Sequence, residues 1–294
     1  MKRKCIGILL LVMALLLTGC GSVQPEAAFD TWENQVQNDM ATAEGAWTYT
    51  LDIHKQEMTC EDADGRTLVV GSYEQPVMQV FHPDGTPYSA MTESNMPAMQ
   101  VAQQVNRFFA DQMKIWQTNF DEICALARQD SRKNAAAWEN EEYLYSDSVE
   151  AVFWHNSRIA CITLTTDSFT GGAHGVRSRS AVTFDMSSGR EITINDMVDD
   201  YAALRDTVAL EILRQIDNGR YVKYYNGKLL FSDYQETIPE WMTRAVFFGD
   251  GEMTVVFGAY DIAAYAAGEQ AFTIPYSLIA PYLNAYGKTA LEIE

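Results

Sequence analysis

Residues Tyr143–Ser168 read YLYSDSVEAVFWHNSRIACITLTTDS. Two runs rich in β-branched and aromatic residues are divided by Asn156-Ser157, so the stretch predicts a β-hairpin whose turn residues tolerate positive φ. His155 sits beside that turn and is expected to face solvent. Downstream, SRSAVTFDMSSGREITIND (Ser178–Asp196) repeats the plan, with Ser187-Ser188-Gly189 as the turn between Phe184 and Ile192. A third copy, AVFFGDGEMTVVFG (Ala245–Gly258), has Asp250-Gly251 at its centre, a strong short-range hairpin signal. A chain that keeps reversing in this way builds antiparallel sheets.

Upstream, AWTYTLDIHKQEMTC (Ala46–Cys60) alternates Trp47, Tyr49, Leu51 and Ile53 on one side, the period of a half-buried strand, with His54 on the wet face. RTLVVGSYEQPVMQVF follows the turn DADG and predicts one or two more strands. The period then changes. From Met99 to about Arg128, Val101, Val105, Phe108, Phe109, Met113, Trp116, Phe120 and Ile123 recur at spacings of three and four, one face of a long helix that packs on a sheet. A second helix carries Leu204, Val208, Ile212 and Ile216, with Asn195 or Asp196 as its expected cap and Asn218-Gly219 as its stop. QAFTIPYSLIAPYLNAYG (Gln270–Gly287) adds a last strand and a short proline-started helix. The predicted class is α+β, antiparallel sheets formed by hairpins packed against two long amphipathic helices.

The N-terminus, MKRKCIGILLLVMALLLTGCGS, places Lys2, Arg3 and Lys4 ahead of an apolar run from Ile6 to Leu17. A dozen apolar residues are too few for a permanent span of about 30 Å of hydrocarbon, and small residues close the run, so it reads as an export signal over residues 1–19. Its Leu-Thr-Gly-Cys ending resembles a bacterial lipobox, which implies lipidation of Cys20 and attachment to the outer face of a cytoplasmic membrane of Gram-positive type. Two or three acyl chains, at about 0.8 kcal/mol per buried CH2, hold a protein to a bilayer stably. Residues 20–45 are polar and small and are expected to act as the tether.

Loss of the leader takes the 21 basic residues to 18 against an unchanged 40 acidic ones, a net charge of −22. That charge excludes nucleic acid as a partner and favours cationic ones. Cys5 leaves with the leader and Cys20 is used by lipid, so Cys60, Cys124 and Cys161 remain, an odd number with room for one disulfide and no indication of which pair forms it.

Chemical motifs are scarce. The four histidines, His54, His82, His155 and His174, are too far apart for a helical metal pair, and neither H-E-x-x-H nor G-x-S-x-G occurs. DADGRT (Asp62–Thr67) opens like a calcium loop but has no closing Glu, and TFDM (Thr183–Met186) lacks the second Asp and the histidines of a deacetylase. Neither a metal nor a cofactor is therefore expected. In TTDSFTGGAHGVRSRS (Thr165–Ser180), Gly171 and Gly172 permit backbone forbidden to other residues and Gly175 lets the loop pass close to another strand, with His174 held between them. His174 has two readings, a structural tie between loop and neighbour or a ligand contact.

Thr170-Gly171-Gly172-Ala173-His174-Gly175 resembles the T-G-G-A-H-G loop of the RsiV and PdaC group, the extracellular regions of an anti-sigma factor and of a peptidoglycan deacetylase. Tyr260–Gly268, YDIAAYAAG, resembles that group's Y-x-I-A-P-Y-A-x-G, and FTIPYSLI follows from Phe272. Phe169 stands where the group has Tyr, and Ala264 where it has Pro. The resemblance covers roughly residues 47–286 and implies a PdaC-like α+β domain over 46–195 and an RsiV-like domain over 196–294. It implies extracellular recognition, of lysozyme in the RsiV type, and not deacetylation or sigma-factor binding. The expected function is a non-catalytic, lipid-anchored binding protein for lysozyme, another cationic wall protein or peptidoglycan. Gly171, Gly172, His174, Tyr260, Asp261 and Tyr265 are its expected ligand-binding residues, lining one side of a concavity. The alternative is a hydrolase of wall glycan or peptide with Asp167 and Asp261 as acid and base.

Overall fold

The computed structural model describes residues 39–41, 47–92, 95–139, 143–218 and 230–293. The expected signal, Cys20, Gly219 and most of the tether lie outside the described residues.

Seven strands form the larger sheet in chain order: β1 (Asp39–Ala41), β2 (Thr48–Glu61), β3 (Thr67–Phe81), β4 (Tyr145–His155), β5 (Ile159–Phe169), β6 (Val176–Asp185) and β7 (Glu191–Ile192). β1 falls within the segment expected to be tether; it pairs with β2 from Asp39↔Thr50 to Ala41↔Thr48. All neighbours are antiparallel except β3 and β4, which run parallel from Val69↔Tyr145 to Tyr73↔Val149. Parallel neighbours need a crossover, and α1 (Met96–Lys133) supplies it. At 38 residues it is about 57 Å long, the scale of the 15-residue β3 at about 50 Å, so helix and long hairpin lie along one another. Val101, Val105, Phe109, Trp116 and Phe120 are buried, as their spacing predicts.

Close packing of α1 on β3 depends on Gly71. A Cβ there would lie 2.5 Å from the Phe120 ring and 3.0 Å from that of Trp116. The strand surrenders a side chain at this point so that two aromatic rings can lie on its backbone.

The second sheet has three antiparallel strands in the order β10-β9-β8: β8 (Ala245–Phe248), β9 (Glu252–Phe257) and β10 (Gln270–Pro275). α2 (Tyr201–Asp217) packs beside it through Leu204, Val208, Ile212 and Ile216, all buried. Its cap is Asp200, whose carboxylate accepts from the Ala203 N–H, rather than Asn195 or Asp196. Asp196 instead closes a capping box with Thr193 on a preceding short turn, one register earlier than the sequence pattern suggests.

β5 joins the two cores. Ala160 and Ile162 face α1 with Phe153, Val182 and Phe184. Ile159 and Cys161 face the other way, into the cluster of Leu204, Ile212, Trp241, Val255 and Phe272. A strand buried on both faces is apolar at every position, which is why IACI does not alternate. The Asn156 turn before it uses no positive φ. The Asn156 carboxamide oxygen accepts from the N–H groups of Arg158 and Ile159, both at 2.8 Å, so a side chain does the work expected of the backbone.

Candidate functional site

The loop Thr170–Gly175 joins β5 to β6. Gly171 and Gly172 have φ of +88° and +93°, the left-handed region, and a Cβ on Gly171 would lie 3.0 Å from the Tyr145 hydroxyl. At Gly175 a Cβ would come within 2.9 Å of the Ser168 carbonyl oxygen. The loop is thus folded back against its own hairpin, and His174 is exposed at its tip.

What His174 meets is Tyr265. The rings stack with centroids 3.6 Å apart and planes 17° from parallel. The Tyr265 hydroxyl donates to the Gly175 carbonyl at 2.7 Å, and His174 Nδ1 lies 3.0 Å from the same oxygen. A proton on Nδ1 gives that carbonyl a second donor. Burial pushes the Tyr265 phenol up, helped by the phenol of Tyr260 and the carboxylate of Asp167, so it remains a neutral donor.

Tyr265 opens a helical turn, Tyr265–Ala267, entered through Ala264 at φ −63° and ψ 153°. That is backbone a proline adopts, so the alanine here keeps the conformation without the ring that would enforce it. Tyr260 completes the group: its ring centroid lies 5.6 Å from that of Tyr265. It has φ +71° and remains 58% exposed. A tyrosine in left-handed backbone carries strain of about 1–2 kcal/mol, which the surrounding loop has to offset.

Asp261 belongs to the scaffold. One carboxylate oxygen accepts from the Gly258 N–H at 2.7 Å, and the other pairs with Arg244 at 3.1 Å, whose guanidinium also lies over the Phe257 ring. Together these bonds fix the bend from which Tyr260 projects. Asp167 lies across the β5–β6 ladder from Arg177, with 3.8 Å between charged atoms. Beneath it, Arg179 pairs with Glu269 at 2.9 Å, their side chains only 14% and 7% exposed. Burial pushes the Glu269 carboxyl up, with Arg179 and Arg177 opposing. This ion pair ties β6 to the start of β10 and locks the two motifs in register.

The structure therefore brings His174, Tyr265 and Tyr260 together as a surface of three rings, with Gly171, Gly172 and Asp261 as its supports. The motifs meet each other directly; a cavity of about 480 Å3 lies elsewhere, lined by Asp62, Ala63, Asp64, Arg66, Arg128, Ser131 and Arg132. Arg179, Glu269 and Arg244 were not anticipated. Arg177 and Arg179, two apart on one strand, do share a face in the sequence pattern, but their acidic partners are distant in the chain. Among the described residues no cluster of His, Cys, Asp or Glu could hold a metal ion, and no helix is long and apolar enough to cross a membrane.

The fold and its surface define an α+β protein whose two cores share one strand, β5, and whose two motif-bearing loops meet. Residues 202–277 match a family described as protein of unknown function (DUF3298). A DUF3298 family member from Bacteroides fragilis has a similar structure, with a TM-score of 0.59 and 14% identity over 81% of this chain and 94% of that one. A DUF3298 family protein from Pseudomonas aeruginosa aligns with a TM-score of 0.48 and 16% identity over 80% and 94%. The first likeness shows the fold alone. No curated protein matches this chain.

Proposed function

We propose that this is a lipid-anchored, extracellular, non-catalytic binding protein that recognises a wall-associated ligand, lysozyme or peptidoglycan, on the surface formed by Tyr260, Tyr265 and His174. The observation that carries the reading is the pairing of an exposed, strained tyrosine with a stacked His–Tyr platform. A large ring held outward against a conformational cost is wasted in a structural loop and useful in a contact. Both motifs that resemble the RsiV and PdaC group end in this platform, and the net charge of −22 expected after leader loss suits a cationic partner. The hydrolase reading is weaker: Asp261 accepts from the Gly258 N–H and pairs with Arg244, contacts that hold the loop together, and Asp167 faces Arg177.

The test is a binding titration of the purified full chain against lysozyme and, separately, against soluble peptidoglycan fragments, at low and at physiological salt. Binding that weakens at least tenfold in a Tyr260→Ala/His174→Ala variant of unchanged fold supports the platform. Saturable binding untouched by that variant removes the platform, and turnover of wall polymer by the chain removes the non-catalytic reading. Anchoring is tested by incorporation of labelled palmitate, which should disappear in Cys20→Ala.

A further inference from the structure

Three cysteines stand in the described part of the chain, all buried. Cys161 lies in the core shared with the second sheet, whereas Cys60 and Cys124 lie together in the cluster formed by Val69, Trp116, Phe120 and Tyr145. Cys60 is near the end of β2, at a bulge where the register with β3 shifts between Cys60 and Glu61. A bulge re-aims the side chain beside it. Cys124 is on α1, and one helical turn further on Arg128 Nε donates to the Glu61 carbonyl at 3.3 Å. The helix is therefore pinned to the strand at the residue after Cys60, which holds Cys124 in the same buried cluster as Cys60.

We propose that Cys60 and Cys124 are a disulfide-forming pair, oxidised in the exported protein to a covalent link between β2 and α1, with Cys161 remaining a free thiol. The compartment rests on the export reading above; the pairing rests on the fold. With a disulfide oxidant of the glutathione type, one thiolate attacks a sulfur of the oxidant and expels one thiol. The second cysteine thiolate then attacks the mixed disulfide and expels the other. Two protein thiols are oxidised, the oxidant's disulfide is reduced to two thiols, and two protons pass to them.

Once α1 has docked, burial and the neighbouring Cys60 push the Cys124 thiol up to about 12, so thiolate is scarce and the native thiols exchange slowly. Closure thus belongs to folding, before the aromatic cluster seals. Residues just beyond the two cysteines, Asp62 on the strand side and Arg128 on the helix side, line the 480 Å3 cavity.

The full chain, exported with its own leader, is acid-quenched, alkylated in denaturant without reductant and digested. The expected result is a Cys60–Cys124 linked peptide that reduction separates, with Cys161 alkylated, and a reduced sample that melts lower by on the order of 10 °C, given the 64-residue separation. Recovery of both cysteines alkylated from exported chain, or a link to Cys161, overturns the proposal. Should the chain prove not to be exported, the reduced protein is refolded in mixed oxidised and reduced glutathione. A Cys60–Cys124 link there sustains the pairing and removes only the compartment; no link, or one involving Cys161, overturns the pairing as well.

Discussion

Tyr265 is the residue on which the platform turns, and its two contacts can be separated. Tyr265→Phe removes only the hydroxyl and its 2.7 Å bond to the Gly175 carbonyl. That oxygen keeps His174 Nδ1 at 3.0 Å, so it is not orphaned, and the cost should stay near the low end for a neutral bond, about 0.5–1 kcal/mol. Tyr265→Ala removes the ring as well. The 3.6 Å stack adds about 0.5–1.5 kcal/mol, and the apolar area of a half-buried ring adds about 1 kcal/mol, for a total of roughly 2–3.5 kcal/mol. The stack itself is isolated by a double-mutant cycle, because His174→Ala after Tyr265→Ala has no ring left to lose. Urea unfolding of the four proteins, with unchanged m-values, should give a coupling energy of about 1 kcal/mol or more. Additivity within about 0.3 kcal/mol would mean the rings do not stabilise one another, and the reasoning that makes them a preformed platform fails.

Other substitutions probe the supports. Tyr260→Gly relieves left-handed strain and should stabilise the chain by about 1 kcal/mol in thermal unfolding while abolishing ligand binding, a pair of opposite signs expected only of a functional residue. Ala264→Pro places proline in backbone already at φ −63° and should stabilise by about 0.4–1 kcal/mol, measured as a rise in the urea midpoint. Arg179→Met leaves the Glu269 carboxylate buried without its cation and should cost about 3–5 kcal/mol, much of it recovered in Arg179→Met/Glu269→Gln. Because burial raises the Glu269 carboxyl in the folded state, its contribution is fully present below the unfolded carboxylate range and is lost as pH rises through the folded value. Glu269→Gln should flatten that part of the stability profile in chemical denaturation at stepped pH. Gly71→Ala drives a methyl to within 2.5 Å of the Phe120 ring and should cost about 1–3 kcal/mol by calorimetry.

Local chemistry determined the elements. The spacing of Val101 through Phe120 can only be one face of a helix, and Asp250-Gly251 between two apolar runs can only be a tight reversal, because each signal acts over a few residues of backbone. Of the two loops of the platform, one was legible for the same reason, because Gly171 and Gly172 permit the left-handed backbone they adopt, whereas Tyr260–Gly268 stood out only by its resemblance to the RsiV and PdaC motif. What the sequence does not contain is the distance between residues far apart in it. The parallel joint of β3 to β4 follows from where α1 returns the chain, and the IACI run faces two cores because α1 covers one face of β5 and the second sheet with α2 covers the other. Tyr265 on His174, Arg179 on Glu269 and Cys60 beside Cys124 join residues from 64 to 91 positions apart. Such contacts are settled by packing of whole elements, in which burial of apolar faces moves side chains together whose own chemistry had no part in bringing them there.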